Sequence, residues 1–229
     1  MPQTSSRLRR SLLVLTAAAA LALTGCASAP DAPAAAPSQS EAPAPSSECS
    51  YSTEARPASK AVDLPDADPA VSGEVPVTIA TSAGELAVTL DADATPCTTN
   101  SFLSLSEQGY FDGTNCHRLT TQGIFVLQCG DPTGTGTGGP GYAFADELSG
   151  SETYPAGTLA MANAGPDTNG SQFFIVYADT SLPPSYTVFG HLDTASTEIV
   201  AGVAANGTES GASDGTPKTP VTLDAVTAN

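Results

Sequence analysis

One arginine, together with a few amide and aromatic side chains, carries most of the chemistry that this sequence offers. Arg118 lies in the first of two short apolar runs, CHRL and IFVLQC, which flank the turn-prone TTQG and predict a β-hairpin over residues 116–129. The only cations between residue 73 and the C-terminus are Arg118 and Lys218, and burying a guanidinium without a role costs free energy. Two interpretations follow: Arg118 pairs structurally with a carboxylate, or it donates hydrogen bonds in a binding site.

The polar and aromatic residues near this arginine favour recognition of a peptide group. Gln128, Asn163 and Gln172 supply amides, and Phe125 and Phe174 supply an apolar surface. Such a site suits an X-Pro bond, whose rotation is opposed by resonance (~18–20 kcal/mol for a peptide bond) and is slow. An arginine that binds the prolyl nitrogen would lower the barrier without breaking a bond, and about 1.4 kcal/mol gives a tenfold rate.

Other kinds of catalysis are not favoured by the sequence. Cys116 and His117 are adjacent on a predicted strand and therefore point to opposite faces, which argues against a thiolate–imidazole pair. There is no GxSxG motif, and the glycine-rich PTGTGTGG lacks the GK[ST] ending of a phosphate-binding loop. Asp131 is expected to cap that glycine loop, and His191 has no obvious partner. No cofactor and no metal is expected.

Composition restricts the partners. The chain has 229 residues and a formal net charge of −17, which argues against binding to nucleic acid or to an anionic membrane surface. The charge favours a self-repelling monomer.

The N-terminus has the pattern of an export signal. Three arginines precede an apolar run over residues 12–23, and Thr24-Gly25-Cys26 follows directly. LTGC resembles the bacterial lipobox, which predicts a lipoprotein signal peptide over residues 1–25 and a lipid on Cys26. The protein would then sit on the outer face of the cell membrane, held through that lipid only. An ordinary signal peptide and an uncleaved anchor are the alternatives.

Four further cysteines suggest disulfides, because disulfides persist outside the cytoplasm. Cys116 and Cys129 would face each other across the predicted hairpin, which leaves Cys49 for Cys97. Four free buried thiols are the alternative, and zinc is disfavoured because there is no CxxC.

The remaining pattern predicts a tether and one mainly β domain. Residues 26–72 are an Ala/Pro/Ser-rich tether and an irregular lead-in, and residues 73–229 form the domain. Helices are predicted after Thr95-Pro96, ending at Gly109, and over residues 194–204 with Thr194 as a candidate cap. Eight strands are predicted within VPVTIAT, ELAVTL, CHRL, IFVLQC, TLAMA, QFFIVY, YTVFGHL and VTLDAV. Together they predict a closed antiparallel β-barrel sealed by two helices.

The motifs CHRL…GIFVLQCGDPTGTGTGG, MANAGPDTNGSQFFI and VFG resemble those of the cyclophilin peptidyl-prolyl isomerases, over about residues 75–226. The resemblance implies an eight-stranded barrel with two capping helices and no cofactor. The chain is further similar to exported actinobacterial cyclophilins with extra cysteines, whose substrates would be proline-containing unfolded or exported polypeptides.

The resemblance also assigns the site. The catalytic arginine of the family falls on Arg118. The residues that hold the proline ring fall on Phe125, Val126 and Phe174, and the peptide contacts fall on Gln128, Ala162, Asn163 and Gln172. The segment after the arginine strand is about two residues longer than usual, and the chain has no Trp. Leu182 stands closest to the usual Trp, which strong cyclosporin binding uses, and Tyr186 stands where human-type enzymes have a His.

Three hypotheses therefore compete. The first is a membrane-tethered prolyl isomerase that assists the folding of exported proteins. The second is a binding module or holdase that uses the same groove with little turnover. The third is a surface scaffold.

Overall fold

The computed structural model describes residues 48–229. The predicted signal peptide, the lipidation site Cys26 and the tether up to residue 47 lie outside the described residues. Within residues 48–229, no helix is both long enough and apolar enough to cross a membrane. In chain order the elements are β1 (Ser52–Thr53), β2 (Glu74–Thr81), β3 (Gly84–Asp91), α1 (Pro96–Glu107), β4 (Thr114–Asn115), β5 (Arg118–Thr120), β6 (Val126–Cys129), β7 (Tyr142–Ala143), β8 (Thr158–Met161), β9 (Phe173–Val176), β10 (Val188–Leu192), α2 (Thr194–Ala204), β11 (Asp214–Gly215) and β12 (Thr222–Ala228).

Ten strands form one curled antiparallel sheet in the order β11-β5-β6-β9-β8-β10-β3-β2-β12-β4. All eight predicted strands belong to it, and the two-residue strands β4 and β11 lie at its ends. The predicted closed barrel of eight strands needs correction, because the sheet has ten strands in an open order. Two-residue strands carry no alternation that a sequence pattern could reveal.

The chain itself passes between the two ends of the sheet where β4 leads into β5. The Cys116 amide donates to the Val221 carbonyl beside β12, at 2.8 Å. The next amide, from His117, donates to the Gln128 carbonyl on β6, at 3.0 Å. Consecutive residues thus bond to opposite ends of the sheet.

Helix α1 ends as the sequence predicts. Gly109 follows the last turn with φ +63°, a conformation that glycine adopts without steric cost. Its amide donates to the Ser106 carbonyl, and the Tyr110 amide donates to the Leu105 carbonyl, both at 2.9 Å. These two bonds form a Schellman motif, which satisfies carbonyls at the helix end.

The start of α1 differs from the prediction. Thr95 occupies the N-cap position but makes no capping bond with its side chain; its hydroxyl donates to the Asp91 carbonyl instead. The Glu147 carboxylate accepts from the amides of Cys97 and Thr98, at 2.9 and 2.8 Å. A carboxylate some fifty residues away thus satisfies the helix start, which no local pattern could indicate.

Glu147→Gln is expected to destabilise the domain by about 0.5–2 kcal/mol. Glutamine keeps one acceptor oxygen but loses the second acceptor and the negative charge that a helix N-terminus favours. Urea unfolding of both proteins measures the difference. Glu85→Gln, at an exposed position on β3, is the matched control, and an equal effect of both substitutions would contradict the capping role.

Helix α2 has the predicted bounds but a different cap. The Asp193 side chain, one residue before Thr194, accepts from the Ser196 amide at 2.7 Å. Asp193 therefore takes the role predicted for Thr194.

The lead-in of residues 48–72 is fastened to the domain. Disulfides join Cys49 to Cys97 and Cys116 to Cys129, in the pairing that the sequence favoured. Strand β1 pairs with β7 in a separate two-stranded sheet. Tyr51 packs edge-to-face against Tyr142, with ring centroids 5.5 Å apart.

The main core lies between the sheet and the helices. Phe102 of α1 is buried there, with its ring centroid 5.1–5.5 Å from those of Phe111, Phe173 and Phe189. A second, separate apolar cluster contains Val126, Tyr154, Ala160, Phe174 and Val176. It is this second cluster that the functional site uses.

Candidate functional site

Strand register brings the chemically important side chains into one row. Arg118 on β5 lies opposite Gln128 on β6, and Gln128 lies opposite Phe174 on β9. Phe174 in turn lies opposite Ala160 on β8. Residues directly opposite each other in an antiparallel sheet project from the same face. The register alone therefore places a guanidinium, an amide and an aromatic ring side by side.

This row borders a cavity of about 180 Å³. The second apolar cluster supplies its floor through Val126 and Phe174. Tyr186 supplies a wall, with its ring centroid 5.5 Å from that of Phe174 in an edge-to-face arrangement. Eight residues of the predicted site line the cavity, together with Ile124: Arg118, Val126, Gln128, Ala162, Asn163, Phe174, Leu182 and Tyr186.

Phe125 does not line this cavity. Its ring packs edge-to-face against Tyr177, with centroids 6.0 Å apart. Ile124 and Val126, its neighbours on either side, line the cavity instead, as expected where successive side chains alternate between faces. The resemblance had aligned Phe125 with the proline-binding position, but sequence alignment does not decide which face a residue takes beside a longer connection.

A chain of hydrogen bonds connects the arginine to the glycine-rich loop. Arg118 Nη1 donates to Gln128 Oε1 at 3.3 Å, and Gln128 Nε2 donates to Gln172 Oε1 at 2.8 Å. Gln172 Nε2 then donates to the Gly138 carbonyl at 2.9 Å. Gln172 lies outside the 180 Å³ cavity, but it orients Gln128, which lines it.

Sequence reasoning missed the partner of the arginine. Asp214 on β11 accepts from Arg118 Nε and Nη2, at 2.8 and 2.7 Å, in a bidentate pair. These bonds raise the pKa of Arg118 and lower the pKa of Asp214. The Arg118 side chain is 38% exposed, so it lies at the cavity rim and is not buried inside the hairpin as the pattern had suggested. The pairing interpretation and the binding-site interpretation are thus compatible.

For the prolyl isomerisation that the sequence resemblance implies, Asp214→Asn is expected to lower the rate about tenfold while changing the free energy of unfolding by less than about 1 kcal/mol. The carboxylate fixes the plane of the guanidinium through two charge-assisted bonds, whereas an exposed ion pair stabilises the fold little. Prolyl isomerisation and urea unfolding, measured on the same samples, test both parts.

Two further variants sharpen that test. Glu209→Gln removes an exposed acid from the same segment and should leave the rate unchanged. Asp214→Glu keeps the charge and should recover part of the rate. An Asp214→Asn protein as active as the parent would rule out a positioning role.

Asn163 holds the far side of the cavity. Its side-chain amide donates to the Ser185 carbonyl at 2.9 Å, which ties the two segments that carry Ala162 and Tyr186. Within residues 48–229, neither the backbone amide nor the carbonyl of Asn163 has a hydrogen-bond partner. That pair of backbone groups is therefore available to an extended peptide.

Asp131 caps the glycine-rich loop, as the sequence predicts. It is fully buried and accepts from the amides of Thr133, Gly136 and Gly138 at 2.7, 2.7 and 3.0 Å. A Cβ on Gly138 would lie 2.0 Å from Asp131 Oδ1, so only glycine allows the loop to close on this carboxylate. Asp131 is thus a structural anchor and not a base.

A thiolate–imidazole pair is absent from this region. Cys116 is bonded to Cys129. Neither ring nitrogen of His117 has a hydrogen-bond partner within residues 48–229, and burial lowers the pKa of this imidazole, a shift that Asp131 partly opposes. His191 is exposed on β10.

Comparison with known proteins agrees with this geometry. Residues 76–228 match the family described as cyclophilin type peptidyl-prolyl cis-trans isomerase/CLD. The chain is 47% identical over 193 residues to a "probable peptidyl-prolyl cis-trans isomerase B" of Mycobacterium tuberculosis, covering 78% of this chain and 63% of the relative. A protein of the same name from Mycobacterium leprae is 46% identical over 193 residues, covering 78% and 65%. The chain thus spans a little under two thirds of the length of these relatives.

Solved structures give the same answer. A cyclophilin type peptidyl-prolyl cis-trans isomerase of Cryptosporidium parvum superposes with a TM-score of 0.60 at 32% identity, covering 68% of this chain and 98% of that one. The same protein crystallised in the presence of the dipeptide Ala-Pro gives a TM-score of 0.59 at 33% identity, covering 67% and 98%. The fold is that of a cyclophilin-like β-sheet domain. This chain belongs to the cyclophilin-type peptidyl-prolyl cis-trans isomerase family.

Proposed function

We propose that this protein catalyses cis–trans isomerisation of X-Pro bonds and assists the folding of proteins exported from the cell. The observation that carries the proposal is the position of Arg118 on the rim of a cavity with an apolar floor of Val126 and Phe174. In proline the amide nitrogen is part of the side-chain ring. A site for X-Pro therefore needs its hydrogen-bond donor, here Arg118, next to the apolar floor that holds the ring.

The mechanism follows from the hydrogen bonds of the arginine. Arg118 donates three bonds to Asp214 and Gln128, and a guanidinium has five N–H groups. A remaining N–H donates to the prolyl nitrogen as the peptide bond rotates and its lone pair leaves conjugation. This bond forms only in the twisted state, so it lowers the barrier without tightening ground-state binding.

The other cavity residues hold the substrate during rotation. The proline ring rests on the apolar floor and against Tyr186, with Leu182 at the edge. The backbone groups of Asn163 pair with the peptide on one side of the proline. Gln128 keeps the guanidinium in place and is itself held by Gln172.

The test is the refolding of a protein whose slow phase is limited by proline isomerisation, with the purified full chain present at nanomolar to micromolar concentration. We expect the slow phase to accelerate in proportion to enzyme concentration. Peptide binding without acceleration would support the alternative, a binding module or holdase. If the protein neither binds the peptide nor accelerates refolding, the surface-scaffold hypothesis is the one that remains.

Export and anchoring through Cys26 are part of the same proposal. Two disulfides within residues 48–229 support an oxidising compartment outside the cytoplasm. Cys26→Ala is expected to release the protein from the membrane fraction of the producing cells. Unchanged retention of the variant in the membrane fraction would point to an uncleaved anchor.

We further propose that the protein is a monomer, because its strong negative charge opposes self-association.

A further inference from the structure

A second and larger cavity adjoins the proposed proline site. Its volume is about 570 Å³, and it shares Gln128, Ala162 and Asn163 with the first cavity. The glycine-rich loop forms much of its remaining wall. Because the two cavities share a wall, and an extended chain advances about 3.3–3.6 Å per residue, a peptide with its proline in the first cavity reaches the second within about three residues.

The lead-in supplies one wall of this second cavity through residues 54–56. This segment precedes the family match, which begins at residue 76. Backbone bonds to the end of the glycine-rich loop and to the residue before β7 hold it in place: Ser59 N donates to Gly139 O, and Glu54 N donates to Gly141 O, both at 2.9 Å. The Cys49–Cys97 disulfide anchors its start. The wall is therefore built into the fold and needs no ligand to form it.

Arg56 gives this wall its charge. Arg56 is exposed, and its guanidinium donates one bond to the Thr137 carbonyl of the glycine-rich loop, beside the cavity. The other N–H groups of its fork have no partner within residues 48–229. Residues 48–229 contain four cations, Arg56, Lys60, Arg118 and Lys218, and Arg56 is the only one of them that lines the second cavity.

We propose that Arg56 is a specificity-determining residue that selects substrates with an Asp or Glu within about three residues of the proline. This inference rests on the proposed isomerase function. A carboxylate in the second cavity would accept hydrogen bonds from the free part of the guanidinium, which is suited to bidentate pairing. The net charge of −17 opposes the binding of acidic peptides in general, so we expect the preference only at substrate positions that reach Arg56.

Glu54 lines the same cavity and opposes this preference. Its side chain makes no hydrogen bond or ion pair within residues 48–229, whereas Arg56 is held in place by the loop carbonyl. Arg56 therefore presents the better oriented group. Removing the Glu54 charge should strengthen the preference for acidic peptides.

The experiment compares pairs of proline peptides that differ only by Glu against Gln, placed in turn at each of three positions on both sides of the proline. The quantity measured is the ratio of kcat/KM for the Glu peptide to that for the Gln peptide. For the full chain we expect a ratio of about three at one position, falling towards one as salt is raised, because exposed ion pairs are weak and screened. Arg56→Gln should abolish the preference, Arg56→Glu should invert it, and Glu54→Gln should increase it.

Lys218→Gln is the matched control, because it removes one positive charge from a residue outside both cavities. It should leave the ratio at the parental value. Equal ratios for the full chain and for Arg56→Gln at all positions would overturn the inference while leaving the isomerase proposal intact. Failure of the full chain to accelerate any of the peptides would instead overturn the isomerase proposal itself.

Discussion

Replacing Arg118 with alanine is expected to lower the rate of prolyl isomerisation about 100-fold and to leave the domain folded. Among residues 48–229, Arg118 is the only cation that lines the 180 Å³ cavity, and removing one donor to a transition state costs about 10²–10³ in rate. The fold should survive because the two side chains of the Arg118–Asp214 pair are 38% and 51% exposed, and exposed pairs contribute about 0–1 kcal/mol. Proline-limited refolding gives the rate, and thermal unfolding followed by circular dichroism gives the stability.

Two further variants separate geometry from charge. Arg118→Lys keeps the positive charge but cannot bond to Asp214 through a planar fork, so it should recover no more than about a tenth of the activity. Lys218→Gln removes a cation far along the chain and should keep full activity. An Arg118→Ala protein that fails to fold would show that the arginine is structural, which is the other interpretation that its place in the sequence allowed.

Asp131→Asn is expected to destabilise the domain by about 3–5 kcal/mol. The buried carboxylate accepts amide bonds from Gly136 and Gly138 on one oxygen and from Thr133 on the other. Asparagine would turn an NH₂ group towards some of these donors and leave them unsatisfied, at about 1–3 kcal/mol for each buried group. Urea unfolding measures the loss, and Asp224→Asn, at an exposed position on β12, should stay within about 0.5 kcal/mol of the parent.

The same residue predicts a pH dependence of stability. Burial by itself raises the pKa of Asp131, but the hydrogen bonds from Thr133, Gly138 and Gly136 outweigh burial and hold the pKa below its ordinary value. The stabilisation is therefore complete above the unfolded-state pKa of about 3.9 and is lost as pH falls from there through the folded-state pKa. The stability difference between the parent and Asp131→Asn should shrink below about pH 4. A difference that stays constant down to pH 2 would contradict this assignment.

The guanidinium of Arg118 is held in one orientation before any substrate binds. It is held on one edge by Asp214 and on another by Gln128. An arginine held in this way loses little further freedom when substrate binds, because its entropy has already been lost in folding. Arg118→Lys and Asp214→Asn each remove the bidentate pairing, one from the arginine side and one from the carboxylate side. Both variants therefore test whether this pairing orients the guanidinium for catalysis.

Local patterns in the sequence were sufficient for most of the fold. Alternation of apolar and polar residues located β2, β3 and β12. Short apolar runs located β8 and β9, whose residues are all buried. Thr95-Pro96 and Gly109 marked the ends of α1. The motifs around Arg118 and Phe174 indicated the family, which the comparisons show. Asp131 was recognisable as a loop cap because the glycines that it binds follow it directly.

The tertiary structure decided what depends on residues far apart in the chain. Glu147 caps α1 from about fifty residues away, and Asp214 reaches Arg118 across 96 residues. Neither contact leaves a periodicity that a sequence could display. The two-residue strands β4 and β11 lie at the ends of an open ten-stranded sheet, where a closed eight-stranded barrel had been predicted. The Phe125 ring packs against Tyr177, a contact that no local pattern indicated. Arg56 reaches the second cavity only because the lead-in folds back onto the glycine-rich loop.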